Sequence, residues 1–288
     1  VIFSQHSASG LPTLTPKKCC FIVDFSAVEV VVVQLQRLAI APDQINNQQI
    51  HLTPEQQHYL GRVIRLKPGD RFIVLDGIGH GWLARLNVTL PATAPQAEIL
   101  ETIAIDTELP LDLTLLVAIA KGSGFEDIIR CTTELGVTQL IPILSERTLV
   151  KPSPQKLLRW RRIATEAAEQ SERQIVPTLV EPMSWKAALS QINSQNNSKN
   201  PQHYLCVARG NIPHLCHHLP SQFSSNPVDA ITIATGPEGG WTAAEIQAAE
   251  AVGFQPVSLG DRILRAVTAP IVAVSMIIGV LESGQLGN

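Results

Sequence analysis

Aromatic residues are scarce in this 288-residue chain, at 5%, and charged residues reach only 16% against 45% hydrophobic. A folded core must therefore be built mainly from Leu, Ile, Val and Ala. There is no excess of one sign either: 22 basic and 25 acidic residues leave a net charge of −3. The sum does not announce a nucleic-acid binder, so the local distribution has to be read instead. Five cysteines (Cys19, Cys20, Cys131, Cys206, Cys216) are odd in number and lack the spacing of a disulfide framework, which fits free thiols in a reducing compartment. No run approaches the ~18 apolar residues of a membrane span, and a cytoplasmic location is expected. His203, Cys206, His214, Cys216, His217 and His218 lack the close paired spacings of a structural zinc site, so no metal is expected. Two phosphate cradles are also missing, the Gly-x-x-x-x-Gly-Lys-Ser/Thr loop and Gly-x-Gly-x-x-Gly with a downstream ribose acid.

The first 23 residues contain no acid at all, and Lys17 and Lys18 precede a short apolar run that Asp24 interrupts. No small-residue cleavage site is clear, which makes this a poor signal peptide. An acid-free, Ser/Thr-containing stretch faintly resembles a plastid transit peptide, and a start assigned too far upstream would look the same. Residues 1–34 are expected to lie outside the fold.

From Leu35 to about Thr107 the chain reads as short strands broken by turns such as Lys67-Pro68-Gly69-Asp70 and Asp76-Gly77. Thr53-Pro54-Glu55-Gln56 opens its one helical stretch, which extends to Ile64, with Thr53 as cap and Gln56 as its reciprocal partner. From Leu111 the period changes. Leu113 to Ala120 is a continuous apolar run, as in a strand buried on both faces of a parallel sheet. Ser123 to Glu126 reads as a capping box for a helix through Leu135 that Gly136 ends. Val137 to Leu144 then completes a βαβ unit. An amphipathic helix is expected over roughly Gln155 to Arg173, a polar loop or disordered insertion over Asn193 to Gln202, and two strand–loop–helix units at the end.

Chemistry is written in two segments. In Thr235-Gly236-Pro237-Glu238-Gly239-Gly240-Trp241-Thr242-Ala243-Ala244-Glu245, a buried strand ends, glycines expose the backbone, and Thr242/Glu245 cap the next helix. Such a loop at the carboxyl end of a strand is where open α/β sheets bind ligands, although a tight turn alone would read similarly. In Val257 to Pro270, an Arg-flanked loop holds Ile263 and Leu264, either as core plugs or as walls of an apolar pocket for a ring such as adenine. Thr268 is a plausible cap for the final helix. Two basic groups remain, Arg62/Arg65/Lys67/Arg71 and Lys151/Lys156/Arg159/Arg161/Arg162, which are either solvated surface or phosphate contacts.

Together these segments resemble the SPOUT superfamily of RNA methyltransferases and, within it, the bacterial 16S ribosomal RNA uridine-N3 methyltransferases of the RsmE type. The resemblance runs from about Leu35 to Leu281. It is carried by Lys121-Gly122 with Glu134-Leu135-Gly136, the Glu166/Gln170/Arg173 set, Gly236-Pro237-Glu238-Gly239-Gly240, and Leu259-Gly260-x-Arg262-Ile263-Leu264-Arg265. It implies a PUA-like RNA-binding β-barrel over 35–107 and a SPOUT methyltransferase domain over 108–288. That second domain would be a trefoil-knotted α/β fold with a parallel sheet. It also implies S-adenosyl-L-methionine as methyl donor, 16S rRNA in the small ribosomal subunit as partner, and a homodimer. Other RNAs as substrate, or a non-catalytic assembly factor, are the alternatives.

On this resemblance the cofactor set would be Thr235, Gly236, Gly239, Gly240, Leu259, Gly260, Ile263, Leu264, Arg265, Thr268 and Ala269. Glu166 and Arg173 would be catalytic, Arg173 orienting a base or phosphate while Glu166 or Glu169 assists proton removal. Arg62, Arg65, Lys121, Lys151, Arg159, Arg161, Arg162 and Gln170 would contact RNA. Spacings of four and three place Glu166, Gln170 and Arg173 on one helix face, a face that solvated ion pairs would also produce. One position departs from the family pattern, which usually carries Glu between two Thr after the Leu-Arg pair. Here Ala266-Val267-Thr268 stands instead.

Overall fold

The computed structural model describes residues 35–87, 96–104, 107–148, 151–194, 198–219 and 228–285. The expectation for residues 1–34 lies outside the described residues. Two sheets organise the rest.

The first sheet collects β1 (Arg37–Ala39), β2 (Ile45–Asn46), β3 (Gln49–Ile50), β4 (Arg71–Leu75), β5 (Gly81–Leu86) and β6 (Ala97–Ile103) in the order β1-β4-β5-β6-β3-β2. Its pairings are antiparallel except β1 with β4. Leu38, Ile50, Leu60, Phe72, Val74 and Ala84 form its core. The helix α1 (Pro54–His58) starts as its sequence predicts. Thr53 Oγ1 accepts from the Gln56 N–H at 3.2 Å, and Gln56 Oε1 accepts from the Thr53 N–H at 2.8 Å. A wider turn over Tyr59–Ile64 follows, closed by Arg65 at a left-handed φ of 66°.

The second sheet contains β7 (Asp112–Ala118), β8 (Gln139–Leu144), β9 (Thr178–Leu179), β10 (Met183–Ser184), β11 (Pro201–Cys206), β12 (Ala230–Thr235) and β13 (Gln255–Val257). Its order is β10-β8-β7-β12-β11-β13, with β9 also on β8, and every pairing is parallel. Burial on both faces is the reason its strands are continuous apolar runs. One face is covered by α2 (Gly124–Glu134), α3 (Pro154–Gln170) and α6 (Thr268–Gln285), through Phe125, Ile128, Trp160, Ala164, Val274 and Ile277. The other is covered by α4 (Trp185–Ser194) and α5 (Ala243–Glu250), where Trp185 stacks on Trp241 at 4.5 Å. The expected architecture is therefore present: a small β-sheet unit followed by an α/β domain with a parallel sheet. Among the described residues no helix is long and apolar enough to cross a membrane.

Three local expectations need correction. Ser123 does not cap α2 through its side chain, because its backbone is already in the helical region (φ −90°, ψ −6°), and Glu126 turns instead to Arg159 at 2.7 Å. The amphipathic helix stops at Gln170 rather than Arg173: Glu172 takes a left-handed φ of 64° and turns the chain inward. The polar stretch expected as a loop over 193–202 already enters β11 at Pro201, whose partners are β12 and β13.

Candidate functional site

Because β7, β8, β11, β12 and β13 run parallel, the loops that follow them, 119–123, 145–148, 207–214, 236–242 and 258–267, leave from one edge of the sheet. The glycine-rich loop after β12 is tied to its neighbours at several points. Thr242 Oγ1 accepts from the Glu245 N–H at 3.2 Å, and Glu245 Oε2 accepts from the Thr242 N–H at 2.8 Å, which completes the expected capping box. The other oxygen of Glu245, a buried residue at 4% exposure, accepts from the Glu146 N–H at 2.9 Å. Glu238 Oε1 accepts from the Lys121 N–H at 3.1 Å, and Arg147 donates to the Gly239 carbonyl. Gly240 sits at φ +70° with nothing within 4 Å of where a Cβ would stand. A Cβ on Gly239 would instead meet Arg147 Cδ at 3.1 Å. Behind the loop, Thr235 Oγ1 and Trp241 Nε1 are buried with no hydrogen-bond partner among the described residues, an uncommon condition for polar atoms that an incoming ligand would relieve.

The loop after β13 turns at Gly260, whose φ of +116° suits glycine. Its flank is a 410 Å³ cavity bounded by Ile212, His214, Ser258, Gly260 and Asp261. Ile263 is 62% exposed, so it is no core plug, while Leu264 is half-buried and Leu259 packs against the main core. Thr268 and Ala269 both donate backbone N–H groups to the Arg265 carbonyl at 2.9 Å as α6 begins. Thr268 is thus the first residue of the helix, one position later than a cap. Val267 points at the start of α2: a Cβ on Gly124 would come within 2.5 Å of its Cγ2. The apolar side chain of Val267 therefore packs the residue before α6 against the start of α2.

A family model described as RNA methyltransferase domain matches residues 107–278, and one described as RNA methyltransferase PUA domain matches 52–89. Ribosomal RNA small subunit methyltransferase E of Synechocystis sp. is 51% identical over 251 residues, covering 87% of this chain and 80% of the relative. The Bacillus subtilis protein of the same name is 30% identical over 238 residues, 78% of this chain and 88% of its own length. The chain belongs to this RNA methyltransferase family. Among solved structures, the Neisseria gonorrhoeae ribosomal RNA small subunit methyltransferase E bound to S-adenosyl methionine aligns with a TM-score of 0.70. It shows 30% identity over 85% of this chain and 98% of that one. A Legionella pneumophila methyltransferase in complex with the bound cofactor SAM aligns at 0.72 and 26%, over 88% and 98%.

Placed in this RNA methyltransferase, the α3 residues divide. Glu166 and Gln170 are exposed, and Glu166 pairs with Arg162 at 3.2 Å. Arg173 does not share their face. It is 2% exposed, and its guanidinium donates to Glu108 Oε2 at 2.7 and 3.1 Å and to the Thr133 and Val137 carbonyls at 2.8 and 2.9 Å. The sequence reading of Arg173 as a base-orienting group thus meets a different arrangement: it clamps the end of α2 against the segment entering β7. Glu169, half-buried, accepts from the Ala39 N–H at 2.6 Å where α3 meets β1. Burial pushes its carboxyl up to about 7; the Ala39 N–H opposes that shift and neighbouring Glu166 adds to it.

The basic residues divide as well. Arg159 and Arg161 are held by Glu126 and Glu181 at 2.7 and 2.5 Å, and Arg162 by Glu166. Lys121 and Lys151 are exposed on the carboxyl edge, and Lys156 reaches back to the Gly122 carbonyl at 3.2 Å. Arg62 and Arg65 are exposed on the unit built around the first sheet. Two residues escaped the reading of the sequence. Arg147 follows a buried strand at the carboxyl edge, a position that could have been flagged by the same rule that flagged Gly236–Gly240. Glu108 has no sequence signature, because its partner is 65 residues away. Within the histidine–cysteine stretch, His203 stacks on Phe254 at 5.2 Å, burial pushes the Cys206 thiol up to about 12, and His214 and His217 line the cavity beside Gly260.

Proposed function

We propose that the chain transfers a methyl group from S-adenosyl-L-methionine to N3 of a uridine in 16S small-subunit ribosomal RNA, in the cytoplasm and as a homodimer. The observation that carries the reading is the convergence of the 235–242 and 258–268 loops on one sheet edge, in a chain of this family. The residues there fit the cofactor. Thr235 Oγ1 and Trp241 Nε1 lack partners among the described residues, Gly240 and Gly260 leave the backbone open, and exposed Ile263 with half-buried Leu264 offers apolar cover for a flat ring. Gly236, Gly239, Leu259, Arg265, Thr268 and Ala269 would complete the cradle. Bound there, S-adenosylmethionine supplies an electrophilic methyl on a sulfonium. The chain's own residues must orient the base and accept the N3 proton, tasks that positioning and general-base catalysis serve. The target uridine would have to be unstacked to reach the edge.

Distance along α3 argues for two subunits. Lys156 touches the 119–123 loop, and Glu166 is ten residues further on, about 15 Å along the helix. Glu169 and its contact with β1 lie about 20 Å away. Glu166 can assist only at a cofactor edge brought by a partner, and residues 35–107 would present RNA to that same edge. The open face of α6 supports such pairing. Val274, Ile277 and Ile278 are buried within the subunit, whereas Ser275 and Gly279 are exposed beside half-buried Val272, Met276 and Val280. Small residues there allow close approach of a second helix. The test is isothermal titration with S-adenosylmethionine beside sedimentation. Micromolar binding by a dimer is expected; a monomer that binds no cofactor would refute the proposal.

A further inference from the structure

Each arginine of the chain is either spent on a carboxylate or not. Arg37, Arg85, Arg130, Arg159, Arg161, Arg162 and Arg173 have carboxylate partners within 4.0 Å. Among the described residues Arg62, Arg65, Arg71, Arg147, Arg209, Arg262 and Arg265 have none, and all seven are exposed. The first three lie on the unit built around the first sheet. The other four stand on loops at the carboxyl edge of the parallel sheet. One of them touches the glycine-rich loop directly: Arg147 donates from one terminal nitrogen to the Gly239 carbonyl, and its aliphatic arm fills the space a Cβ at 239 would take. Its own loop is fixed by the adjacent Glu146 N–H on Glu245, the buried carboxylate that also caps α5. A guanidinium has five N–H donors in a rigid fork, and here most of them face solvent.

Resting on the cofactor and RNA assignment above, we infer that Arg147 binds a phosphate of the RNA substrate while holding the Gly239 carbonyl, and so couples RNA binding to the geometry of the cofactor loop. A phosphate on the outward donors fixes the arm that restrains residues 239 and 240. The fixed loop in turn presents those donors with no further loss of side-chain freedom. Arg147 is a positioning residue toward the cofactor and a contact residue toward the RNA. Lysine cannot replace it: a single ammonium keeps the charge but loses the fork that reaches both oxygens.

The experiment measures the affinity of the full-length protein for S-adenosylhomocysteine, which cannot react, with and without unmodified small-subunit ribosomal RNA, and RNA affinity over a salt series. In wild type, each ligand should raise the other's affinity by the same factor, roughly 5-fold or more. Arg147→Ala should bring that factor to about 1 and lower the salt slope by about 0.7, the loss of one phosphate contact. Arg147→Lys should keep the salt slope and lose the coupling. Gly239→Ala, which pushes the arm aside without removing the charge, should also lose the coupling. Coupling absent in wild type, or retained in Arg147→Ala with an unchanged salt slope, overturns the inference. Failure of wild type to bind the cofactor analogue or the RNA at all would instead sink the functional assignment beneath it.

Discussion

Replacing Arg173 with Met separates an architectural role from a catalytic one. The guanidinium is 2% exposed and places donors on Glu108 and on the Thr133 and Val137 carbonyls, four contacts between 2.7 and 3.1 Å. Methionine fills much of the same space but donates nothing. Removing one partner of a buried ion pair costs about 3–5 kcal/mol, because the other is left uncompensated. Glu108 softens that cost. It is 20% exposed, and its second oxygen keeps the Gln174 and Ile175 N–H groups at 2.9 and 3.0 Å. The expected loss is therefore near the lower end, about 3 kcal/mol. Denaturant unfolding of wild type, Arg173→Met, Glu108→Gln and the double variant would close a cycle with a coupling of at least about 1 kcal/mol. Below the unfolding transition, kcat of Arg173→Met should stay within about threefold of wild type, a change of roughly 0.7 kcal/mol or less, since the buried guanidinium faces Glu108 and two carbonyls rather than a ligand. A variant as stable as wild type whose kcat falls a hundredfold would refute the clamp.

Stability should fall as pH rises from about 4.5 to about 7 through Glu169, whose native carboxyl binds its proton more tightly than the unfolded one. Glu169→Gln keeps an acceptor for Ala39 and should remove this slope, stabilising the protein at pH 8 by up to about 3 kcal/mol; pH-dependent thermal unfolding reads it. Gly279→Arg, on the open side of α6, should split the proposed dimer in sedimentation while leaving the circular dichroism intact. Val274→Asp is expected to unfold the subunit instead, because that side chain is 0% exposed. Alanine at Arg62, Arg65 and Arg71 together should flatten the salt dependence of RNA affinity more than alanine at Arg159, Arg161 and Arg162, whose charges are already engaged by carboxylates. Equal slopes in the two triple variants would show that ion pairing does not decide which arginines meet RNA.

Local features were legible in the sequence where they depend on neighbours in the chain. The Thr53/Gln56 and Thr242/Glu245 boxes, the left-handed Gly136 and the apolar runs of β7 and β12 all stand where residue type and period place them. Ser123 failed because its backbone is already helical, and its intended partner Glu126 pairs with the distant Arg159 instead. Helical spacing put Arg173 beside Gln170, but nothing local announces that Glu172 breaks the helix or that Glu108 waits below. The same limit applies to the basic run at 151–162. Its charges are visible in the sequence, and the carboxylates that engage three of them come from α2, from α3 itself and from Glu181 before β10. The two glycine-bearing loops could be read because their chemistry is in the backbone. The position of Arg147 at a carboxyl edge was equally open to reading, but its contact with Gly239 was not, because it is made across the sheet from another loop.

The most direct test incubates the purified protein with methyl-labelled S-adenosylmethionine and unmodified small-subunit ribosomal RNA, then maps the product by mass spectrometry of nucleosides and fragments. The account predicts one labelled position, a uridine methylated at N3. Label at another atom or in another RNA, or a folded dimer that transfers no methyl group, would contradict it.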